Sequence, residues 1–277
     1  MRRTPPRDIQ LLSVAALLIL VAAAPFTTYA QTTPATPSQS TSPVPDQRQW
    51  LSVTEVSVKP EMMAEFQKFM TSETNPALRK GGMKWRDVWR RTAAAGDPFE
   101  FIIVAPMDNF AQYDGQTPLE KALGREGYVA WEAKAGRFVN SVRRYVIRTR
   151  PDLSHEGKRT GPPKLAVVSS IRVAPGRNQD FVNHTMNNHM PVFKQAGATY
   201  LVAETMFGDD VNEYITVTMR DSFADIDKGP IPVQVLGADG ARQLNQKLPA
   251  GTIEHIKRSF IRYVPELSIM PAETSSK

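Results

Sequence analysis

The chain closes two long segments in the same way. Residues 143–154 read RRYVIRTRPDLS and residues 258–268 read RSFIRYVPELS. The likeness extends back through both segments. Laying VTEVSVKPEMMAEFQKFM (from Val53) on VSSIRVAPGRNQDFVNHT (from Val168) matches Val53 with Val168, Val56 with Ile171, Val58 with Val173, Pro60 with Pro175 and Phe66 with Phe181. Further on, Pro76 meets Pro191, Gly82 meets Gly197, and Trp85 and Trp89 meet Tyr200 and Glu204. After a two-residue shift FIIVAPMDNFAQYD lies on YITVTMRDSFADID, and Leu123-Gly124 meets Leu236-Gly237. Matches spread this evenly mark a full-length internal duplication, so whatever one half folds into, the other repeats.

Each half reads in one order. A strand rich in β-branched residues (LSVTEVSV, LAVVSSIRV) is followed by a proline suited to a helix start, then by apolar residues at helical spacing: Met62, Met63, Phe66, Phe69 and Met70 in the first copy. Pro76 and Pro191 end or kink that helix. Two more strands follow, joined by a polar turn, then a second helical region that Asp108 and Ser222 are placed to cap, then a last strand. The fold class is therefore α+β: two tandem ferredoxin-like βαββαβ units, each with a four-stranded antiparallel sheet backed by helices. An isolated unit leaves one sheet face uncovered, and packing the two sheets together covers both.

The first thirty residues stand apart. Arg2, Arg3 and Arg7 precede the uncharged run Leu11–Ala24, and Thr28-Tyr29-Ala30 offers a small-residue cleavage site, which is the order of a secretory signal peptide. The run is short of the roughly 20 residues a membrane span needs, so no stable span is expected after processing. Residues 31–48 are rich in Thr, Pro, Ser and Gln without apolar periodicity and read as a disordered tether. The expected division is signal peptide 1–30, tether 31–48, first repeat 49–154, linker 155–164, second repeat 165–268 and tail 269–277, in a protein exported to the periplasm or secreted. There is no cysteine, which excludes thiol nucleophiles and cysteine metal sites. The formal charge of +6 falls to +4 once three arginines and one aspartate leave with the signal. With its bases scattered among acids, the chain does not read as a nucleic-acid binder.

A tandem pair of ferredoxin-like units of this length resembles the dimeric α+β-barrel superfamily, which includes antibiotic-biosynthesis-monooxygenase-like and NIPSNAP-like domains. The resemblance rests on element order and repeat length and covers nearly the whole mature chain. It implies an intrachain barrel, a monomer or homodimer, and a small-molecule ligand held by one half. The implied classes are a cofactor-independent oxygenase or isomerase, or a haem-binding protein. The alternative is a non-catalytic binding or interaction module. No cofactor is predicted, with haem the remote alternative that the resemblance allows. No phosphate loop, nucleophile elbow or HExxH motif is present to name a catalytic residue.

The candidate ligand-binding residues are His184, Asn188, His189, Tyr200 and Glu204. NHTMNNHMP, residues 183–191, holds two of the four histidines where the first copy has Phe69 and Thr74. Facing a pocket, such a histidine acts as base, hydrogen-bond donor or metal ligand; otherwise it is a surface or capping group. On a regular helix a five-residue spacing turns the second ring about 140° from the first, which does not suit a metal pair, whereas a turn deformed by Pro191 would bring the two rings closer. Glu204 sits between Val202 and Met206, where a carboxylate is costly to bury unpaired; an arginine such as Arg262, or a pocket histidine, would satisfy it, as would exposure on an edge strand. Trp85 and Trp89 share a strand face and suit core packing between the halves. Glu55 interrupts the first strand's apolar pattern. Arg86, Arg90, Arg91, Arg143, Arg144, Arg148 and Arg150 fall on second and fourth strands, the edges of a ferredoxin-like sheet, where they would guard against aggregation, the lesser alternative being a site for an acidic ligand.

Overall fold

The structure is a computed structural model and describes residues 47–158, 161 and 163–271. The expected signal peptide, the tether up to residue 46 and the last six residues of the expected tail lie outside the described residues. The first repeat runs β1 (Trp50–Val58), α1 (Met63–Phe69), α2 (Asn75–Lys80), β2 (Asp87–Arg91), β3 (Glu100–Met107), α3 (Pro118–Ala135) and β4 (Val139–Thr149). The second runs β5 (Leu165–Val173), α4 (Asn178–His184), α5 (Met190–Gln195), β6 (Tyr200–Phe207), β7 (Glu213–Arg220), α6 (Phe223–Asp227), α7 (Ile231–Gln246) and β8 (Ile253–Tyr263). These are the two βαββαβ units that the duplication predicts.

All eight strands close into one antiparallel barrel in the order β1-β3-β2-β8-β5-β7-β6-β4. Each repeat contributes the order β4-β1-β3-β2 or β8-β5-β7-β6, so its edges are its second and fourth strands. Those edges are consumed by the partner repeat. β2 pairs with β8 through Trp89–Tyr263, Arg90–Arg262 and Arg91–Ile261, and β4 pairs with β6 through Ile147–Thr205, Arg148–Glu204 and Thr149–Ala203. Closure removes every edge.

The arginine expectation is corrected here, because no edge remains to guard. Arg91 ion-pairs with Glu55 (3.5 Å) and Glu100 (2.6 Å), Arg143 with Glu55 (3.6 Å) and Asp209, and Arg150 with Asp152 (2.7 Å) and Glu204 (3.1 Å). Arg86 is buried, its guanidinium donating to Asn75 Oδ1 at 2.6 Å and to the Leu267 carbonyl at 3.3 Å. Desolvation lowers its pKa to about 10.

Alternation along each strand produces three cores. Val56, Val58, Val88 and Phe101 face the first repeat's helices and meet Phe66, Phe69 and Met70. Ile171, Val173, Tyr200, Val202 and Tyr214 face the second repeat's helices. The opposite face of both sheets fills the barrel with Val53, Trp89, Ile102, Tyr145, Ile147, Ala166, Ala203, Ile261 and Tyr263. Glu55 shares this inner face. Its carboxylate accepts from the Tyr145 hydroxyl (3.2 Å) beside the two arginines, and burial with the Glu55 charge pushes the Tyr145 pKa up.

The strand ladders also correct the register between copies. Arg148 and Arg262 hold matching places in β4 and β8, and their partners are Glu204 and Arg90. Glu204 therefore matches Arg90, Ala203 matches Trp89, and Tyr200 matches Arg86. The Arg86–Ile269 bridge repeats the Tyr200–His155 bridge. Matching Trp85 with Tyr200 and Trp89 with Glu204 is off by one residue. On a strand that slip exchanges faces: Trp89 points into the barrel, whereas Glu204 lies opposite Tyr214 on the helix side.

The helices carry the duplication in detail. Ser222 caps α6 in a reciprocal capping box with Asp225. Asp108 does not cap; it faces Lys84 at the surface, and the capping box of α3 is formed by Thr117 and Glu120. Gly124 and Gly237 each break their helix at φ 70°, ψ 171° and φ 71°, ψ 173°. Nothing lies within 4 Å of where a Cβ would stand at either position, so backbone conformation alone requires glycine there. Among the described residues no helix is long and apolar enough to cross a membrane.

Candidate functional site

The site is built at a wide turn between α4 and α5. Residues Thr185–His189 are π-helical, with the Met190 amide bonded back to the Thr185 carbonyl. Pro191, one residue on, lacks an N–H and its ring crowds the carbonyl four residues back, which opens the ladder at this place. The first repeat does the same at Met70–Thr74 ahead of Pro76. An i→i+5 turn brings residues five apart onto one face, where a regular helix would separate them.

His184 and His189 accordingly meet, their ring centroids 5.0 Å apart at 54°. The turn deformed ahead of Pro191 is thus the geometry found, in place of the regular-helix separation. His184 is buried, and its Nδ1 has no hydrogen-bond partner among the described residues. His189 is half-buried and hydrogen-bonds the side chain of Asn245 on α7. Burial, the neighbouring His189 and Lys247 lower the His184 pKa to about 4. Burial and Arg258 lower that of His189 against the opposing bond from Asn245. Arg258 is itself positioned by Ser169, whose hydroxyl lies 3.3 Å from its Nε. Both shifts favour the neutral imidazole, whose unprotonated nitrogen accepts a hydrogen bond.

The first repeat shows what this place looks like without such chemistry. Phe69 and Thr74 stand where the second has His184 and His189; on the neighbouring helix, where Gly124 meets Gly237, Trp131 stands where the second has Leu244, one residue before Asn245. Phe69 stacks on Trp131 at 5.8 Å, and the Trp131 indole donates to Thr74 Oγ1 at 3.0 Å. The second copy keeps the widened turn and replaces a phenyl ring and a hydroxyl by two imidazoles. Asn245 was not among the residues singled out from sequence; its match in the first copy is Glu132, also polar, so comparing the copies gave no signal for it.

The other candidates fall elsewhere. Asn188 is half-buried in the same turn. Tyr200 is buried, stacks on Phe193 at 4.2 Å, and bonds Thr216 through its hydroxyl. Glu204 pairs with Arg150 (3.1 Å) and Arg48 (3.8 Å), so its partners are these arginines, and neither Arg262 nor a histidine is among its ion-pair partners. β6 is not an edge, and the Glu204 side chain is only 18% exposed.

Among the described residues no group of three or more His, Asp or Glu side chains could hold a metal ion. Between the second repeat's helices and its sheet, Phe181 lies 4.5 Å from Tyr214, Phe193 lies 4.2 Å from Tyr200, and the two imidazoles lie 5.0 Å apart.

No protein-family model and no curated protein matches the sequence. Solved structures do match in shape. An anthrone oxidase-like protein superposes with a TM-score of 0.54 at 12% identity, over 79% of this chain and 92% of its own. A protein assigned as a monooxygenase from Lactobacillus acidophilus NCFM gives 0.51 at 7% identity, over 80% and 96%. A mutant chlorite dismutase from Candidatus Nitrospira defluvii gives 0.51 at 9% identity, over 79% and 92%. At such identities the likeness is one of fold: this chain carries, in a single polypeptide, the ferredoxin-like double barrel of those monooxygenase-like and chlorite-dismutase-like structures.

Proposed function

We propose that the chain is a small-molecule-binding protein or cofactor-independent enzyme, exported and active outside the cytoplasm, whose working site is the His184–His189–Asn245 cluster of the second repeat. The observation that carries this reading is the exchange of Phe69 and Thr74 for His184 and His189 on the same widened turn. A buried imidazole whose Nδ1 has no partner among the described residues is costly as packing alone, and it suits a hydrogen bond with a ligand at His184, with Asn245 orienting His189. Export rests on the order of charged, apolar and small residues in 1–30.

The test converts the turn of the second repeat into that of the first with the double variant His184→Phe, His189→Thr. Anthrone, a weak carbon acid carried in the name of one structural neighbour, is the first probe. Anthrone should perturb the imidazole NMR signals of the parent protein and show no binding to the folded double variant. Equal binding to both proteins, or undisturbed imidazole signals at saturation, would sink the proposal.

A further inference from the structure

The two seams of the barrel are equivalent by the duplication but differ in content. At the β4–β6 seam three aromatic rings close the outer surface: Trp50 lies 5.3 Å from Phe110 and 6.3 Å from Phe207, and Phe110 lies 5.1 Å from Phe207. The arginine there, Arg148, is set across the ladder from a carboxylate, Glu204. At the β2–β8 seam the corresponding residues are Leu165, Phe223 and Ala93, so two of the three rings are gone. Arg262 replaces Arg148, and Arg90 replaces Glu204.

Two consequences are visible. The missing rings leave a groove formed of two adjoining hollows, about 550 Å³ and 450 Å³, both bordered by Phe223 and Arg262. Each falls within the size range of small-ligand sites. The charge at the seam is also inverted. Arg90 and Arg262 are direct cross-strand partners, an arrangement that is destabilising for like charges. Arg90 Nε donates to the Pro98 carbonyl, and the Arg262 guanidinium lies 5.9 Å from the Phe223 ring centre. Neither has a carboxylate ion-pair partner among the described residues, whereas Arg91 beside them is neutralised by Glu55 and Glu100. One carboxylate, Asp221, borders the larger hollow together with Lys164.

We infer that this groove is a binding site for a small anion with a flat apolar body, an aromatic carboxylate, held by Arg90 and Arg262 against Phe223. The guanidinium forks suit a carboxylate, and Phe223, Leu165, Pro163 and Pro265 suit the ring. The site is separate from the histidine cluster, and its test does not depend on that reading.

The experiment is calorimetric titration of the full processed chain with 2-naphthoate, with 2-naphthamide as the uncharged control. The carboxylate should bind and the amide should bind at least about tenfold more weakly. Arg262→Gln and Arg90→Gln should each weaken naphthoate by about tenfold or more. Ala93→Phe, which restores a ring found at the other seam, should abolish binding while leaving the melting temperature unchanged or higher. The His184→Phe, His189→Thr protein should bind naphthoate as the parent does. Absence of naphthoate binding, equal binding of the amide, or full binding by a folded Ala93→Phe or Arg262→Gln protein would overturn the assignment.

Discussion

Trp89→Ala tests whether the two repeats share one interior. Trp89 is 6% exposed, sits on the short β2 strand, and meets Tyr263 edge-on at 5.1 Å across the β2–β8 seam. Burying an aromatic side chain of its size removes about 150–250 Å² from water, worth at most about 4–6 kcal/mol at roughly 25 cal/mol per Å². Truncations of buried aromatics cost about 3–5 kcal/mol, because the cavity left behind collapses only in part. The ring pair with Tyr263 accounts for about 0.5–1.5 kcal/mol of that. In a domain of this size the melting temperature should fall by roughly 6–20 °C. Urea unfolding of the parent, Trp89→Ala, Tyr263→Ala and the double variant measures the total and the coupling. Trp85→Ala, half-exposed and outside the strand, is the control and should cost well under half as much. A loss at Trp89 below about 1.5 kcal/mol, or no larger than at Trp85, would mean the repeats do not share a packed barrel interior.

Further outcomes follow from other parts of the molecule. His184 has a folded pKa of about 4 against an unfolded value near 6.5, so the unfolded chain binds more protons between the two; stability should be full above pH 6.5 and fall as pH drops toward 4, by on the order of 3 kcal/mol, and His184→Phe should flatten that dependence in urea titrations across pH 4–7. Asn75→Ala strands the buried Arg86 guanidinium and should cost about 3–5 kcal/mol, whereas the joint Asn75→Ala, Arg86→Met protein should recover part of it by thermal unfolding. Gly124→Ala and Gly237→Ala should each cost about 1–3 kcal/mol in the same assay, since no contact but only positive φ resists the new methyl group.

The fold was legible because two signals agreed: the periodicity of each half and the repetition of that order across halves. The matched Leu-Gly pairs even marked the two helix breaks. The site was legible in part. His184 and His189 stood out because Phe69 and Thr74 set the expectation for their positions, but the sequence did not decide between regular helical geometry, which separates residues five apart, and a turn deformed by Pro191, which unites them. Asn245 was missed because it lies some sixty residues downstream on a helix whose pattern gave no reason to single it out. Glu204 was misread through a one-residue slip between copies. Similarity of Trp85 to Tyr200 favoured that register, and only the ladder pairing of Arg148 with Glu204 and Arg262 with Arg90 corrects it. The arginines were read as edge guards because each repeat was considered alone; closure is a property of the pair.

Carrying both barrel halves on one chain has a genetic consequence. In a homodimer every substitution is written twice, so a ring that seals one seam must seal the other, and a cation that serves one must be tolerated at both. A tandem gene lifts that constraint. Mutations can plug one junction with Trp50, Phe110 and Phe207 while stripping the other down to Ala93 and Leu165. The cost of holding Arg90 opposite Arg262 is then borne once per barrel, and the sealed junction is free to drift toward stability without erasing its counterpart. Selection can therefore act on the two junctions as separate traits, which a symmetric ancestor could not have offered it.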